Sequence, residues 1–366
     1  MTDITLLHVG KVSGISGSEA HLLTLLPGLR DRGWDARFCL LHEDEPGAAE
    51  FAGRLVNTGV PVDSVRLKRD ADPLAFSRLL RVVRHTRPTI LHTHLVHADA
   101  YGLPAGKLAR VPVLASTKHG FNAFREGRAF AFGDRALGRL ADLNVAISAG
   151  LVRYLAETEG FDAGRFEVVH YGIAAGSEPP VPPVAPKLLC VGRLIPIKGH
   201  ELLLRAFAEA RRDVPALELE VAGEGPLRAE LDTLAVQLGV GDAVRFVGRV
   251  SPIAPAYERA AVVVVPSLGE GFGMVALEAA ERGRAVIASA VGGLPEIVDD
   301  GRTGILVPPA DVSALVAAII DLTTQPDRAA AMGHAARERT LQEFSLDRCA
   351  DRIDELYRSA LARRAR

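Results

Sequence analysis

Short apolar runs recur along this chain at intervals filled by amphipathic segments, and that alternation restricts the fold more than any other feature. "ITLLHV", "RFCLL", "TILHTH", "VLAST" and "LNVAIS" read as strands in the first half, and "KLLCVG", "LELEVAG", "VRFVG", "AVVVVP" and "AVIAS" in the second. Most are continuous rather than alternating, the pattern of parallel strands buried on both faces. Between them, "HLLTLLPGLRDRG" and "HELLLRAFAEARRD" repeat Leu or Ala at helical spacing. Strands alternating with helices predict an α/β protein of parallel sheets covered by helices. The pattern breaks at Gly172–Lys187, where five prolines fit neither a central strand nor a helix interior. The expected organisation is a first domain over 1–175, a linker over 176–187 and a second domain over 188–344, with an amphipathic helix over 345–366.

At 366 residues the chain exceeds what one core usually fills, which agrees with two domains. The net charge of -2 provides no global field to recruit nucleic acid. The basic residues are nevertheless uneven: Arg66 to Arg139 holds fourteen Lys/Arg against five Asp/Glu. Such a stretch is either a solvated face of Arg-rich helices or a surface for an acidic acceptor or an anionic membrane. Cys39, Cys190 and Cys349 are too far apart for a disulfide framework or a zinc spacing. "MTDITLLHVG" lacks the basic and apolar regions of a signal peptide, and runs such as "AAVVVVP" are too short to cross a bilayer. The expected location is a reducing cytoplasm, with peripheral contact at the inner membrane face as a further option.

Ligands of open parallel sheets bind beyond the carboxyl ends of the strands, so loops following the predicted strands carry the candidate chemistry. "HVGKVSGISGSEAHLL" offers Gly10, Gly14 and Gly17 for close backbone approach, with Ser16 and Glu19 placed to form a capping box. It is not G-x-G-x-x-G, and a simple turn would read the same way. "CVGRLIPIKGHELLL" sets Arg193 and Lys198 just before a helix opened by Gly199 and His200. Two cations beside a helix N-terminus suit a diphosphate, although surface cations also gather there. "VAGEGPLRAEL" places Gly223 and Gly225 at a strand end, as a tight turn or a backbone wall.

"SLGEGFGMVALEAAERG" is the most informative stretch. Glu270 falls in a loop after the strand ending at Pro266, and Gly271 and Gly273 expose amides where the next helix begins. Glu278 follows within about two turns. Two carboxylates, free amides and two nearby cations fit a sugar joined through a diphosphate to a nucleoside. The plainer reading makes Glu270 a cap and Glu278 a surface charge.

From "GKVSGISGSEAHLL" through "GRLIPIKG", "GEGP", "FVGRV" and "EGFGMVALEA" to "VGGLPEIVDDGRTGILVPPAD", the chain resembles a retaining glycosyltransferase of family GT4 (glycosyl transferases group 1). That resemblance spans almost the whole chain and implies the GT-B architecture, two Rossmann-like doubly wound domains facing an interdomain cleft. By the same likeness Arg193 and Lys198 hold the donor diphosphate, while Glu270 and the amides of Gly271, Phe272, Gly273, Met274 and Val275 hold the donor sugar. Glu278 holds the ribose, Gly17 lets the first loop approach the phosphates, and Val247, Gly248, Arg249 and Val250 line the base. The last helix crosses back to the first domain. His119, after "VLASTK", matches a family histidine near the donor sugar, and His94 and Asn122 fall on the acceptor side. "VVHYGI", with His170 and Tyr171, departs from the family's Asn-Gly element, which bears on closure or acceptor fit.

The implied activity is transfer of a hexosyl-type sugar from a nucleotide-sugar, UDP before GDP, to an acceptor hydroxyl with retention. The acceptor is a glycan, a lipid-linked sugar or a small molecule, and no cofactor or metal is required. His92, His94 and His97 look like a metal cluster, yet no thiolate or carboxylate partner stands near them. A nucleotide-sugar epimerase, a glycan phosphorylase or a non-catalytic sugar-nucleotide binder would share the fold. A serine hydrolase is disfavoured by the lack of G-x-S-x-G.

Overall fold

The computed structural model describes residues 4–69, 72–121, 128–176 and 186–364. The chain divides into two compact units, Met1–Gly172 with Leu346–Arg366, and Ile173–Ser345. No described helix is long and apolar enough to cross a membrane.

The first unit runs β1 (Thr5–Lys11), α1 (Gly17–Asp31), β2 (Asp35–His42), α2 (Pro46–Asn57), β3 (Val62–Arg66), α3 (Pro73–Thr86), β4 (Ile90–His94), α4 (Leu95–Ala109), β5 (Val113–Lys118), α5 (Arg128–Gly138), β6 (Leu143–Ala146), α6 (Ala149–Glu159) and β7 (Phe166–Val168). The second runs β8 (Lys187–Val191), α7 (His200–Asp213), β9 (Glu218–Ala222), α8 (Arg228–Gln237), β10 (Val244–Gly248), α9 (Ala254–Arg259), β11 (Val262–Val265), α10 (Met274–Glu281), β12 (Ala285–Ser289), α11 (Leu294–Ile297), β13 (Gly304–Val307), α12 (Val312–Thr324) and α13 (Pro326–Glu343). The last helix, α14 (Leu346–Arg364), belongs to the first unit.

Both sheets are parallel and doubly wound. Their orders are β3-β2-β1-β4-β5-β6-β7 and β10-β9-β8-β11-β12-β13. In each sheet the winding therefore reverses beside its first strand, between β1 and β4 and between β8 and β11. At such a switch point the loops leaving the two strands diverge and open a crevice.

The interior strands carry the cores. β4, β5, β11 and β12 are buried along their whole length, and their Val, Ile and Leu side chains are covered by helices on both faces. α14 docks through an apolar stripe: Cys349, Ala350, Ile353, Leu356 and Tyr357 join the cluster built on α1 and β1. Its register is pinned at the rim, where Trp34 Nε1 donates to Asp354 at 2.6 Å and Arg32 pairs with Asp351 at 2.7 Å. At the start of α1, Glu19 accepts from the Ser16 backbone N–H at 3.1 Å, closing the capping box.

One ionic group lies inside the first unit. Lys118 at the end of β5 is fully buried, and its Nζ sits 2.7 Å from Asp99 of α4 and 2.7 Å from Asp134 of α5. Asp99 also accepts from the Ser116 hydroxyl at 2.8 Å. These bonds replace the hydration that burial removes, and they fasten two helices to one strand. Lys118→Met keeps an aliphatic stem but removes the cation between two buried carboxylates. It is expected to cost about 3–5 kcal/mol in the unfolding transition of this unit, read by chemical denaturation.

Candidate functional site

In the second unit the loops following β8, β9 and β11 are laced together through their backbones. Leu268 N–H donates to the Ile197 carbonyl at 2.8 Å, joining the β11 loop to the β8 loop. Leu194 N–H donates to the Glu224 carbonyl at 2.8 Å, and Leu227 N–H to the Leu194 carbonyl at 3.1 Å, joining the β8 loop to the β9 loop. Such close passage leaves no room for side chains. A Cβ on Gly199 would lie 2.0 Å from the Pro266 carbonyl oxygen, and one on Gly223 would lie 1.8 Å from that of Gly192. Both glycines also have positive φ, 69° and 154°.

This lacing brings two of the predicted residues into contact. Lys198 Nζ meets Glu270 Oε2 at 2.6 Å, and the buried Ser267 hydroxyl donates to the same oxygen at 3.2 Å. Lys198 and Glu270 remain partly exposed, so the pair is reachable from solvent. Arg193 stands exposed on the same loop and makes no ion pair among the described residues. Behind it, His200 opens α7 with its ring buried, and neither nitrogen has a partner among the described residues. Burial and then the neighbouring Lys198 charge lower the His200 pKa to about 4, leaving a neutral ring near Lys198.

Gly273, at φ 116°, turns the chain into α10, whose first residues are Met274 and Val275. First-turn amides have no intrahelical acceptor and sit at the positive end of the helix. Gly271 and Phe272 are held by the loop after β12. Gly293 N–H donates to the Glu270 carbonyl at 3.2 Å, and a Cβ on Gly293 would lie 2.7 Å from the Phe272 Cα. Glu278, partly buried on α10, accepts from the Tyr257 hydroxyl of α9 at 2.7 Å through Oε2. Its Oε1 is engaged by no described residue. Burial raises the Glu278 pKa, with the Tyr257 hydrogen bond opposing the shift.

Of the residues expected at the base, Val247 and Gly248 end β10, and Val250 is partly buried beyond them. The Gly248 carbonyl accepts from Gly223 N–H at 2.8 Å, and Arg249 is exposed with its N–H 3.5 Å from Glu224 Oε1. Sequence reasoning missed Tyr257, Ser267 and Gly293. Tyr257 and Gly293 act on residues more than twenty positions away, so no local spacing advertises them, whereas Ser267 lies only three residues before Glu270 and a loop serine gives no sign that its hydroxyl turns to that carboxylate.

In the first unit Gly17 is the first residue of α1, and Asn122 lies outside the described residues. His119 follows β5 and is partly buried, while His94 ends β4 and is fully enclosed. His94 Nδ1 contacts His119 Nε2 at 2.8 Å, and His119 Nδ1 contacts the Tyr171 hydroxyl. Both nitrogens of each ring are thereby occupied, since His94 Nε2 meets His8 Nδ1 at 2.7 Å. The grouping expected from "LHTHLVH" is corrected here: β1 pairs in register with β4, so His8, not His97, joins His92 and His94. One nitrogen of each lies within 4.8 Å of the others. His92 and His94 stack face to face with centroids 4.5 Å apart, an arrangement that turns ring faces, not lone pairs, towards each other.

Known proteins resemble this chain over most of its length. Residues 15–175 match the family described as Glycosyltransferase Family 4, and residues 185–325 the one described as Glycosyl transferases group 1. The chain is 33% identical over 293 residues to a glycogen synthase of Mycobacterium tuberculosis, covering 76% of this chain and 70% of that one. It is 34% identical over 260 residues to a D-inositol 3-phosphate glycosyltransferase of Streptomyces scabiei, covering 64% and 58%. It is 39% identical over 180 residues to a GDP-mannose-dependent phosphatidylinositol monomannoside mannosyltransferase of Mycolicibacterium smegmatis, covering 47% of each. The last two matches thus span about half the length of those relatives. Among solved structures, Anabaena HepE in complex with UDP and glucose superposes with a TM-score of 0.85 at 20% identity, over 97% of this chain and 100% of that one. Sucrose-phosphate synthase of Thermosynechococcus elongatus gives 0.79 at 24% identity, over 98% and 99%. These likenesses show the GT-B fold.

The raised Glu278 pKa has a measurable consequence. Folding favours its neutral form, a contribution complete below pH 4.5 and lost as pH rises through the raised value. Glu278→Gln removes the ionisation. Its thermal midpoint is therefore expected to gain on that of the wild type as pH is raised from about 4.5 to about 7.5, in the absence of ligand. A difference independent of pH contradicts the assignment.

Proposed function

We propose that this chain, which belongs to glycosyltransferase family 4 (glycosyl transferases group 1), transfers a hexosyl-type sugar from a nucleotide-sugar to an acceptor hydroxyl. The observation that carries the reading is the contact of Lys198 with Glu270 at a switch point, beside the N-terminus of α10 and the exposed Arg193. Arg193 and Lys198 take the donor diphosphate, which leaves as the nucleoside diphosphate with its charge compensated by both cations and the helix end. Lys198 then exchanges Glu270 for phosphate oxygens, and the freed carboxylate accepts from sugar hydroxyls. Glu278 Oε1 accepts from the ribose while Tyr257 steadies Oε2. Val247, Gly248, Arg249 and Val250 border the base.

A UDP-sugar is the first choice and a GDP-sugar the second. HepE was crystallised with UDP and glucose, and the mycobacterial mannosyltransferase is GDP-mannose-dependent. His94 and Asn122 belong to the acceptor side in this reading, and His119 to the surroundings of the donor sugar. The basic surplus between Arg66 and Arg139 supports an anionic acceptor, whether a phosphorylated sugar or a lipid-linked one. Retention follows from the family: the acceptor attacks on the face from which the leaving group departs, and a donor phosphate oxygen takes its proton. No metal has a role, because the cations and helix dipole occupy the position where one would stabilise the leaving charge.

Lys198→Ala and Glu270→Ala are each expected to lower turnover about 10²-fold or more without loss of fold. Near-wild-type rates in either would remove the site. Slow hydrolysis of the donor, followed by 1H NMR, should release the sugar first as the donor's own anomer. Release of the opposite anomer would overturn the retaining mechanism.

A further inference from the structure

The histidines of the first unit extend into a longer array. From the partly buried end, the Tyr171 hydroxyl contacts His119 Nδ1, and His119 Nε2 contacts His94 Nδ1 at 2.8 Å. His94 Nε2 meets His8 Nδ1 at 2.7 Å, between rings only 9° from parallel. His8 Nε2 lies 3.4 Å from the Tyr357 hydroxyl of α14, which in turn contacts His92 Nδ1. His92 Nε2 ends the array on the Thr117 hydroxyl at 2.7 Å. Seven side chains from β1, β4, β5, α14 and two loops thus join in one unbranched line. His8, His92, His94, Thr117, Tyr171 and Tyr357 are all buried.

The bonding rules allow this line only two arrangements. A neutral imidazole donates from one nitrogen and accepts at the other, so each ring hands on the direction it receives. If His119 donates from Nε2, His94 accepts at Nδ1 and must donate from Nε2, and His8 follows. Tyr357 passes the direction on because its hydroxyl has one proton. Were His8 and His92 both to donate to it, that proton would lose its acceptor within the line. Were both to await its proton, one buried nitrogen would be left without a donor. The geometry is consistent in direction: in both contacts between rings an Nδ1 faces an Nε2.

A charged ring would break the pattern, since imidazolium donates from both nitrogens. Burial first, and the neighbouring histidines second, hold the pKa values of His8 and His94 well below the usual value, and burial lowers that of His92 to about 3. His119 is lowered by burial and by His21, His92 and Lys118. His21 of α1, stacked on Tyr171, and Lys118 of β5 are the further basic groups facing the line.

We propose that these groups form one directional hydrogen-bond relay in which His8, His92, His94 and His119 all carry the same tautomer. The hydroxyls at its ends are then committed to opposite roles. Either Tyr171 donates into the line and Thr117 accepts from it, or the reverse. The relay fixes the ring orientation and tautomer of His119 at the carboxyl edge of the first sheet, and beside His94, at the end of β4, Leu95 stands at a positive φ of 69°. His94, His8 and Tyr357 are accordingly positioning residues for His119; their bearing on catalysis rests on the transferase reading, but the relay itself does not.

The test uses the full chain labelled with 15N-histidine and no ligand. Two-bond 1H–15N correlation at pH 6 to 8 reports which nitrogen of each ring is protonated. Thr117→Val, Tyr171→Phe and Tyr357→Phe each remove one hydroxyl and assign the nearest ring. Four neutral rings protonated at the same nitrogen, all Nε2 or all Nδ1, are expected in the wild type. In Tyr357→Phe, His8, His94 and His119 should still agree with one another. Opposite tautomers on adjacent rings, an imidazolium among the four at pH 7, or a stoichiometric metal in the purified protein would overturn the proposal. If Tyr357→Phe fails to fold, the wild-type tautomers decide alone. Because no donor is present, failure here leaves the transferase reading untouched, and an inactive enzyme with uniform tautomers leaves the relay standing.

Discussion

The reversal of winding between β8 and β11 is the constraint on which the candidate site depends. It makes two loops that are distant in sequence leave neighbouring strands, and backbone hydrogen bonds then lace them over the sheet edge. Lys198 and Glu270, seventy-two positions apart, touch only because Leu268 is bonded to Ile197 and Gly199 lets the turn pass under Pro266. Side chains supply the chemistry, but the register of the parallel sheet supplies the proximity. A cation and a carboxylate that would scarcely interact as free surface groups become a preorganised pair.

The same logic explains what the sequence made legible. The interior strands were readable because burial on both faces demands continuous apolar runs, as in "AVVVVP" for β11. β3, β7 and β13 were not read, and each is an edge strand; "VDSVR" exposes two of its five residues, "FEV" is only three residues long, and "GILV", apolar throughout, is only four. At the site, Arg193, Lys198, Glu270 and Glu278 stood out because charges and glycines interrupt apolar elements where a strand hands over to a helix. Tyr257 did not, since an aromatic residue on a short helix reads as core until its hydroxyl is seen against Glu278.

The first unit shows the opposite case. "LHTHLVH" drew attention to itself, but local spacing grouped His97 with the others, whereas cross-strand register selects His8. Strand pairing is a non-local property, so the line from Tyr171 to Thr117 could not be drawn from any single motif. Departure from the family's usual element at "VVHYGI" acquires a physical meaning there, because Tyr171 ends that line. Histidines that would suggest metal by composition are instead satisfied by one another.

Both units thus hold polar groups at the carboxyl edge of a doubly wound sheet, one by laced loops and the other by a hydrogen-bonded line through the core. The account stands or falls on whether the laced loops form a donor pocket. Thermal shift with UDP, GDP and ADP, each alone and as its glucose or mannose conjugate, addresses this directly, since selective binding to the folded state must raise its midpoint. One conjugate should stabilise the protein well beyond the rest, and Lys198→Ala should abolish the gain. No shift with any of them at millimolar concentration would contradict the account.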